Sequence, residues 1–97
     1  MSDQPPSAVS RLRRVDAIAS ESFGDIEVAF DPVSGIVRRL NGTASEIWRL
    51  LVDPHDAAEI VAKIRLRSTR MAPNLEADVL RFVDELMMWG LVVRVDT

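Results

Sequence analysis

The first half of the chain contains short runs in which apolar and polar residues alternate. In Ile26–Phe30 (IEVAF), the large apolar residues fall on one face, which is the period-two pattern of a strand. The segment Asp31–Gly35 (DPVSG) has turn chemistry, because proline presets φ and glycine tolerates a positive φ. A second run, Ile36–Leu40 (IVRRL), returns after this turn. With a weaker strand near Val15–Ser20, the pattern predicts a small antiparallel sheet of three strands.

After Leu40 the apolar period changes to that of a helix. Asn41 is a good N-cap for this first helix, since its side-chain oxygen is able to accept an otherwise unpaired backbone N–H. A second helix is predicted to begin at Asp56, because Glu59 follows three residues later in the spacing of a capping box.

A third helix is predicted over Asn74–Trp89, and Gly90 then stands where a helix end favours a left-handed residue. Leu91–Val95 follows as a short final strand or an extended tail. Three strands followed by three helices predict an α+β fold of the winged-helix type. We expect a flexible N-terminal tail over residues 1–12, because it begins with a proline- and serine-rich stretch, and a single domain over residues 13–97.

Composition and charge narrow the functional classes. The net charge of −3 argues against nucleic acid as the main partner, and the absence of cysteine excludes disulfides and thiolate chemistry. No apolar run approaches the roughly 20 residues that span a bilayer, and the N-terminus lacks the features of a signal peptide. We therefore expect a cytoplasmic protein without a membrane partner. The basic run Arg11–Arg14 is interpreted as a solvated flank, with a contact for an acidic partner as the alternative.

The sequence contains no recognisable catalytic or metal-binding constellation. Its single histidine, His55, lies in a predicted turn, where we interpret it as solvated, and a metal site would need further ligands. The serines have no evident base, and the glycines are scattered singly. Four glutamates are predicted to face solvent: Glu46, Glu59, Glu76 and Glu85. We therefore expect no enzyme activity, no metal and no cofactor.

The third helix is the element that a winged-helix DNA-binding protein would present to DNA. Its polar face carries three more acidic than basic residues, which would repel phosphate: Glu76, Asp78, Arg81, Asp84 and Glu85. Its apolar face is wider than a core-facing stripe requires, because Leu80, Val83 and Met87 extend it to one side. This shoulder is either covered by the sheet or first helix, or it forms one wall of a groove.

The strand Ile36–Leu40 is the last strand before the helices, which places it at a candidate edge of the sheet. Edge strands are commonly protected by charge, and Arg38 and Arg39 fit that role. The same edge is suited to β-addition, in which a peptide supplies the next strand. Both alternate sets of its side chains are mixed in polarity, so the sequence leaves open which face lines the groove.

These elements together resemble the PqqD-like family, named after the pyrroloquinoline quinone biosynthesis protein D and also called RiPP recognition elements. Three segments in this order carry the resemblance: LNGTASEIWRLL (Leu40–Leu51), AAEIVAKI (Ala57–Ile64) and EADVLRFVDELMMWGLV (Glu76–Val92).

The resemblance implies a non-catalytic peptide chaperone that binds the leader segment of a ribosomally synthesised precursor peptide. Such a protein presents the leader to a modifying enzyme, for example a radical enzyme, a cyclase or a peptidase. In the family, the leader adds to the third strand and packs against the third helix. We therefore predict this peptide-binding site: Ile36, Val37, Arg38, Arg39, Leu40, Leu80, Val83, Asp84 and Met87. We expect a monomer or weak dimer, with a winged-helix DNA-binding regulator and a structural self-association module as alternatives.

Overall fold

The computed structural model describes residues 10–67 and 73–95. The elements are β1 (Arg11–Arg14), β2 (Ala19–Phe23), β3 (Ile26–Phe30), β4 (Val37–Leu40), α1 (Gly42–Leu50), α2 (Ala57–Arg67), α3 (Leu75–Met88) and β5 (Val92–Val95). The architecture is α+β, with a small antiparallel sheet followed by three helices, which confirms the predicted fold class. No helix within the described residues is long and apolar enough to cross a membrane.

Strands β2, β3 and β4 form an antiparallel sheet in that order, so β4 lies at an edge. The first of these strands occupies Ala19–Phe23, and its predicted position near Val15–Ser20 is therefore wrong. The tight turn to β3 is made at Gly24, whose φ is 64°. Residues 21–23, which lie beyond the predicted range, consequently belong to β2.

A second sheet, of two strands, pairs β1 with β5. Leu12 of β1 is fully buried and exchanges backbone hydrogen bonds with His55 at 2.8 and 3.0 Å. The interpretation of Arg11–Arg14 as a solvated flank is wrong, because its single leucine points inward and the pairing with β5 orders the segment. Residues 1–9 of the predicted tail lie outside the described residues, whereas the end of that tail belongs to β1.

His55 is 7% exposed, because β1 bridges to the turn in which it lies. Its Nδ1 lies 2.9 Å from the carbonyl oxygen of Asp53, and its Nε2 lies 2.9 Å from Nζ of Lys63. The interpretation of His55 as a solvated turn histidine is therefore wrong. The covering strand is distant in the sequence, so the local pattern gave no sign of this burial.

The core lies between the helices and the inner face of the three-stranded sheet. Trp48 of α1 is fully buried, and its Nε1–H donates to Oγ of Ser20 on β2 at 3.0 Å, which satisfies its only polar group. The guanidinium of Arg14 on β1 lies 4.8 Å from the centroid of the Trp48 ring. One tryptophan thus connects α1 to both sheets.

Some of the predicted capping interactions at the helix ends are present in the structure, and one is not. Asp56 and Glu59 form the predicted capping box, with hydrogen bonds of 3.0 and 2.8 Å. Asn41 occupies the N-cap position of α1, but its side chain makes no capping hydrogen bond, contrary to the prediction. At the end of α3, Gly90 has a φ of 74°, and the next N–H donates to the carbonyl oxygen of Leu86 at 3.0 Å, as a Schellman ending requires.

The turn between β3 and β4 is organised by Asp31. Its Oδ1 accepts the N–H of Val33 at 2.9 Å and that of Ser34 at 3.5 Å. Its own N–H donates to the carbonyl oxygen of Ile36 at 3.0 Å. The hydrogen bond from Val33 lowers the pKa of the Asp31 carboxyl below its ordinary value, despite an opposing effect of desolvation.

Leu12→Ala is expected to lower the free energy of unfolding by about 2–4 kcal/mol, because it leaves a cavity in the core. Leu66→Ala is the matched control, since this leucine is 87% exposed, and it should change stability by less than about 0.5 kcal/mol. Urea unfolding followed by circular dichroism measures both variants. Equal stability of the two variants would show that β1 is not part of the cooperative core.

Acidification is expected to loosen the β3–β4 turn. Because the pKa of Asp31 is lower in the folded state than its ordinary value of 3.8, its stabilising contribution is complete above that value and is lost as the pH falls through the folded-state pKa. NMR titration should give a carboxyl midpoint below 3.8 and falling amide protection of Val33 and Ser34 at low pH. Asp31→Asn should lack this step; the same pH response in both proteins would contradict the role of the carboxylate.

Candidate functional site

The outer side of β4 carries unpaired peptide groups. Among the described residues, the only partner strand of β4 is β3. Because the Asp31 N–H donates to the Ile36 carbonyl, Asp31 and Ile36 form a hydrogen-bonded pair. Hydrogen-bonded and non-hydrogen-bonded pairs alternate along an antiparallel ladder. The register therefore places Val37 and Arg39 in non-hydrogen-bonded pairs with β3. Their N–H and C=O groups point away from the sheet, toward the free edge.

The side chains of β4 divide between the two faces of the sheet. Leu40 and Arg38 point the same way as the buried Glu27 on β3, toward the helices. Val37 and Arg39 point to the opposite, outer face and are exposed. The predicted strand part of the site thus lies at the sheet edge, and the inner face is the one that meets α3.

A shallow cavity of about 90 Å³ opens between the end of β4 and α3. Residues from β4, α1 and α3 and the corner between β4 and α1 line it: Arg39, Leu40, Asn41, Ala44, Phe82, Glu85, Leu86 and Trp89. Small-molecule sites usually measure roughly 300–1,000 Å³. This cavity has room for a single side chain rather than for a metabolite.

Arg38 connects β4 to α3 at the side of this cavity. Its guanidinium lies 4.4 Å from the centroid of the Trp89 ring, which is a cation–π contact. Trp89 also packs against the core and lines the cavity. The flank of α3 that faces β4 is therefore the one that carries Trp89.

The four helix residues predicted for the site lie elsewhere on α3. Successive helical residues are rotated by about 100°, so Leu80 and Met87 lie on the flank opposite Trp89. Both are half-buried, Val83 is fully buried, and Asp84 is exposed. None of the four lines the cavity beside β4. Their part in peptide binding stays a prediction.

The sequence pattern did not reveal the cavity. Phe82 and Leu86 have the helical spacing of core residues, and both also line the cavity. The spacing of Phe82 and Trp89, seven residues apart on one flank, was the available signal. Glu85 was expected to face solvent but is half-buried in the cavity wall. Of the four glutamates assigned to solvent, Glu76 is exposed and the other three are half-buried.

Within the described residues, no group of histidine, cysteine, aspartate and glutamate side chains is placed to hold a metal ion. Both ring nitrogens of His55 are already in polar contacts, one with Asp53 in its turn and one with Lys63 on α2. What the geometry offers is an unpaired strand edge beside an apolar cavity, with two arginines on the edge. Such an arrangement is suited to holding an extended segment of polypeptide chain.

Two solved structures share this fold. One, described as "TbiB1 in Complex with the TbiA(beta) Leader Peptide", has a TM-score of 0.74 at 26% identity and covers 88% of this chain and 99% of that one. The other, "Lasso peptide synthetase B1 complexed with the leader peptide", has a TM-score of 0.69 at 24% identity and covers 84% and 96%. The second likeness shows the fold alone. No curated protein matches the chain.

Residues 27–92 match the family described as Coenzyme PQQ synthesis protein D (PqqD). The match spans more than half of the chain and includes β4, the three helices and every residue that lines the cavity. It confirms the resemblance carried by the three helical segments of the sequence. This chain belongs to the PqqD family.

Proposed function

We propose that this protein is a non-catalytic chaperone that binds the leader segment of a ribosomally synthesised precursor peptide by strand addition to β4. The observation that carries the proposal is the pair of outward-facing peptide groups at Val37 and Arg39 beside the cavity at Trp89. The similar structure of TbiB1 supports it, because TbiB1 is described in complex with a leader peptide.

Strand addition divides affinity and selectivity between backbone and side chains. Val37 and Arg39 each offer one N–H and one C=O, which are groups that any extended peptide satisfies. Alternate guest side chains would then point to the inner face, where the cavity between Leu40 and Trp89 accepts one apolar group. Ordering a flexible leader offsets part of this gain. We therefore expect a dissociation constant near micromolar, which corresponds to a binding free energy of about −8 kcal/mol.

The bound leader is presented to a modifying enzyme, which we propose to be a radical enzyme, a cyclase or a peptidase, in the cytoplasm. The binding edge is assigned to Ile36–Leu40, and the helix wall is the flank of α3 that carries Phe82 and Trp89. The sequence-based assignment places the guest on the opposite flank, at Leu80 and Met87. Variants on the two flanks distinguish these assignments.

Self-association is the second candidate function, and the free edge of β4 is the observation that favours it. Two copies paired edge to edge would cover the same peptide groups. Sedimentation velocity over a range of concentrations separates a dimer of this kind from a monomer that awaits a peptide.

The direct test is an NMR titration of the labelled protein with synthetic leader segments of short peptides encoded beside its gene. Binding at β4 should shift the amide signals of Val37 and Arg39 together with the indole signal of Trp89. Saturable binding that leaves these three signals unchanged would refute the assignment of the site.

Val37→Pro is expected to weaken peptide binding by about tenfold or more, because it removes an outward N–H and places a ring at the edge. The fold should tolerate proline here, since that N–H does not bond to β3. Val37→Ala is the control, as it keeps the N–H and trims only the side chain. Isothermal titration calorimetry gives both affinities; equal affinities would show that the guest does not pair with β4.

Trp89→Ala is expected to weaken binding by about 1–2 kcal/mol, whereas Met87→Ala on the opposite flank should change it by less than about 0.5 kcal/mol. Both side chains are half-buried and pack against the core, which makes the two substitutions a matched pair. Fluorescence anisotropy with a labelled leader peptide measures the effect, with thermal unfolding as the check on folding. A larger loss for Met87→Ala would place the guest on the flank predicted from the sequence.

A further inference from the structure

The outer face of the β2–β3–β4 sheet meets solvent, yet most of its side chains are apolar. Nine large hydrophobic side chains are exposed within the described part of the chain, and three of them lie on this face: Phe23, Phe30 and Val37. Of these, Phe30 and Val37 are directly paired on the outer face and are 41% and 58% exposed. Scattered apolar residues need no explanation, but a concentration of them on one face indicates an interaction surface.

The strand register arranges this face in rows that end at the free edge. One row runs from Ala19 through Phe30 to Val37. The neighbouring row runs from Glu21 through Val28 to Arg39. A guest strand paired with β4 would add a fourth residue to each row. Its residues opposite Val37 and Arg39 would point to this outer face, away from the cavity.

Arg39, at the end of the second row, carries a charge that its surroundings do not neutralise. It is exposed, and it forms no ion pair or hydrogen bond with another described residue. Glu21 stands two strands away in the same row, roughly 10 Å, where solvent and salt screen the attraction. By contrast, Arg49 donates to the buried carboxylate of Glu27 at 3.1 Å. Arg39 is therefore available to a carboxylate on a neighbouring strand.

We propose that the leader segment is selected on this outer face as well as at the cavity, by an acidic residue opposite Arg39 and a β-branched or aromatic residue opposite Val37. The inference rests on the proposed function and names the peptides that the site takes. Every strand pair in the described chain is antiparallel, and a guest in this orientation completes the ladder with the more stable geometry. The acidic residue then precedes the apolar one by two positions, and the residue between them points inward, beside Arg38.

Cross-strand partners explain why these two residue types are preferred. Opposite charges that face each other directly on adjacent strands attract, and aromatic or β-branched side chains pack well against valine and phenylalanine. The guest residue opposite Val37 would cover an apolar row that now ends in solvent. Charge on an edge strand also discourages unwanted strand pairing, and that role alone would give no preference among peptides for an acidic residue.

The test is a selection of random peptides by mRNA display against the full chain, followed by affinity measurements on synthetic copies of the enriched peptides. We expect enrichment of an acidic residue followed two positions later by valine, isoleucine, tyrosine or phenylalanine. Selection against Arg39→Glu should replace the acidic residue with lysine or arginine and keep the apolar preference. Arg65→Glu is the control, since this exposed arginine lies on α2 and should leave both preferences unchanged.

For an enriched peptide, replacing its acidic residue with lysine should weaken binding to the native protein by up to about fivefold, and Arg39→Glu should restore it. Enriched peptides that shift the amides of Val37 and Arg39 but show no acidic preference would overturn this inference alone. A preference that persists against Arg39→Glu would also overturn it. If no peptide is enriched, or if binding leaves the amide signals of Val37 and Arg39 unchanged, the proposed strand addition at β4 is itself refuted.

Discussion

The hydrogen-bond ladder between β3 and β4 is the constraint on which the candidate binding edge depends. The bonded pair at Asp31 and Ile36 sets the parity of every later residue on β4. A slip of one residue would move Leu40 from the core to solvent and would turn a different set of peptide groups to the edge. Because Leu40 is almost fully buried, the hydrophobic core opposes that slip. The register that buries Leu40 is thus the same one that turns the peptide groups of Val37 and Arg39 to the free edge.

The rest of the fold supports this edge as a stiff platform. β4 passes directly into α1 through Asn41, and α1 is held by the buried Trp48, which reaches β2 through Ser20. On the other side, the contact between Arg38 and Trp89 connects β4 to α3. A platform that is already ordered loses little conformational freedom when a peptide binds, so the entropic cost falls mainly on the peptide.

Local signals in the sequence predicted those parts of the fold that depend on neighbouring residues. The hairpin at Asp31–Gly35, the capping box at Asp56 and the helix end at Gly90 all involve interactions within a few residues, and the structure has each of them. The pairing of β1 with β5 could not be predicted in this way, because it joins distant segments. The burial of Leu12 and His55 follows from that pairing.

The strand that borders the cavity was predictable from the sequence, whereas the residues of α3 that line the cavity were not. An edge strand follows from the order of the elements, whereas the flank of α3 that meets it depends on how the helix is rotated against the sheet. Phe82 and Trp89 are apolar enough to belong to a core, so their spacing alone does not separate a cavity wall from ordinary packing. The sequence-based prediction of the helix part of the site therefore rests on the broader apolar shoulder at Leu80 and Met87.

The direction of β4 has a consequence for delivery. This strand runs toward α1, so an antiparallel guest travels from the corner at Asn41 toward the hairpin tip at Asp31–Gly35. A leader precedes the part of the precursor that is modified, and that part would therefore emerge past the tip, where Val33 projects into solvent. An enzyme that collects the emerging chain would have to approach from the hairpin end. If the leader adds to β4 as proposed, the orientation of this one strand would set the side of the domain at which an enzyme receives the substrate.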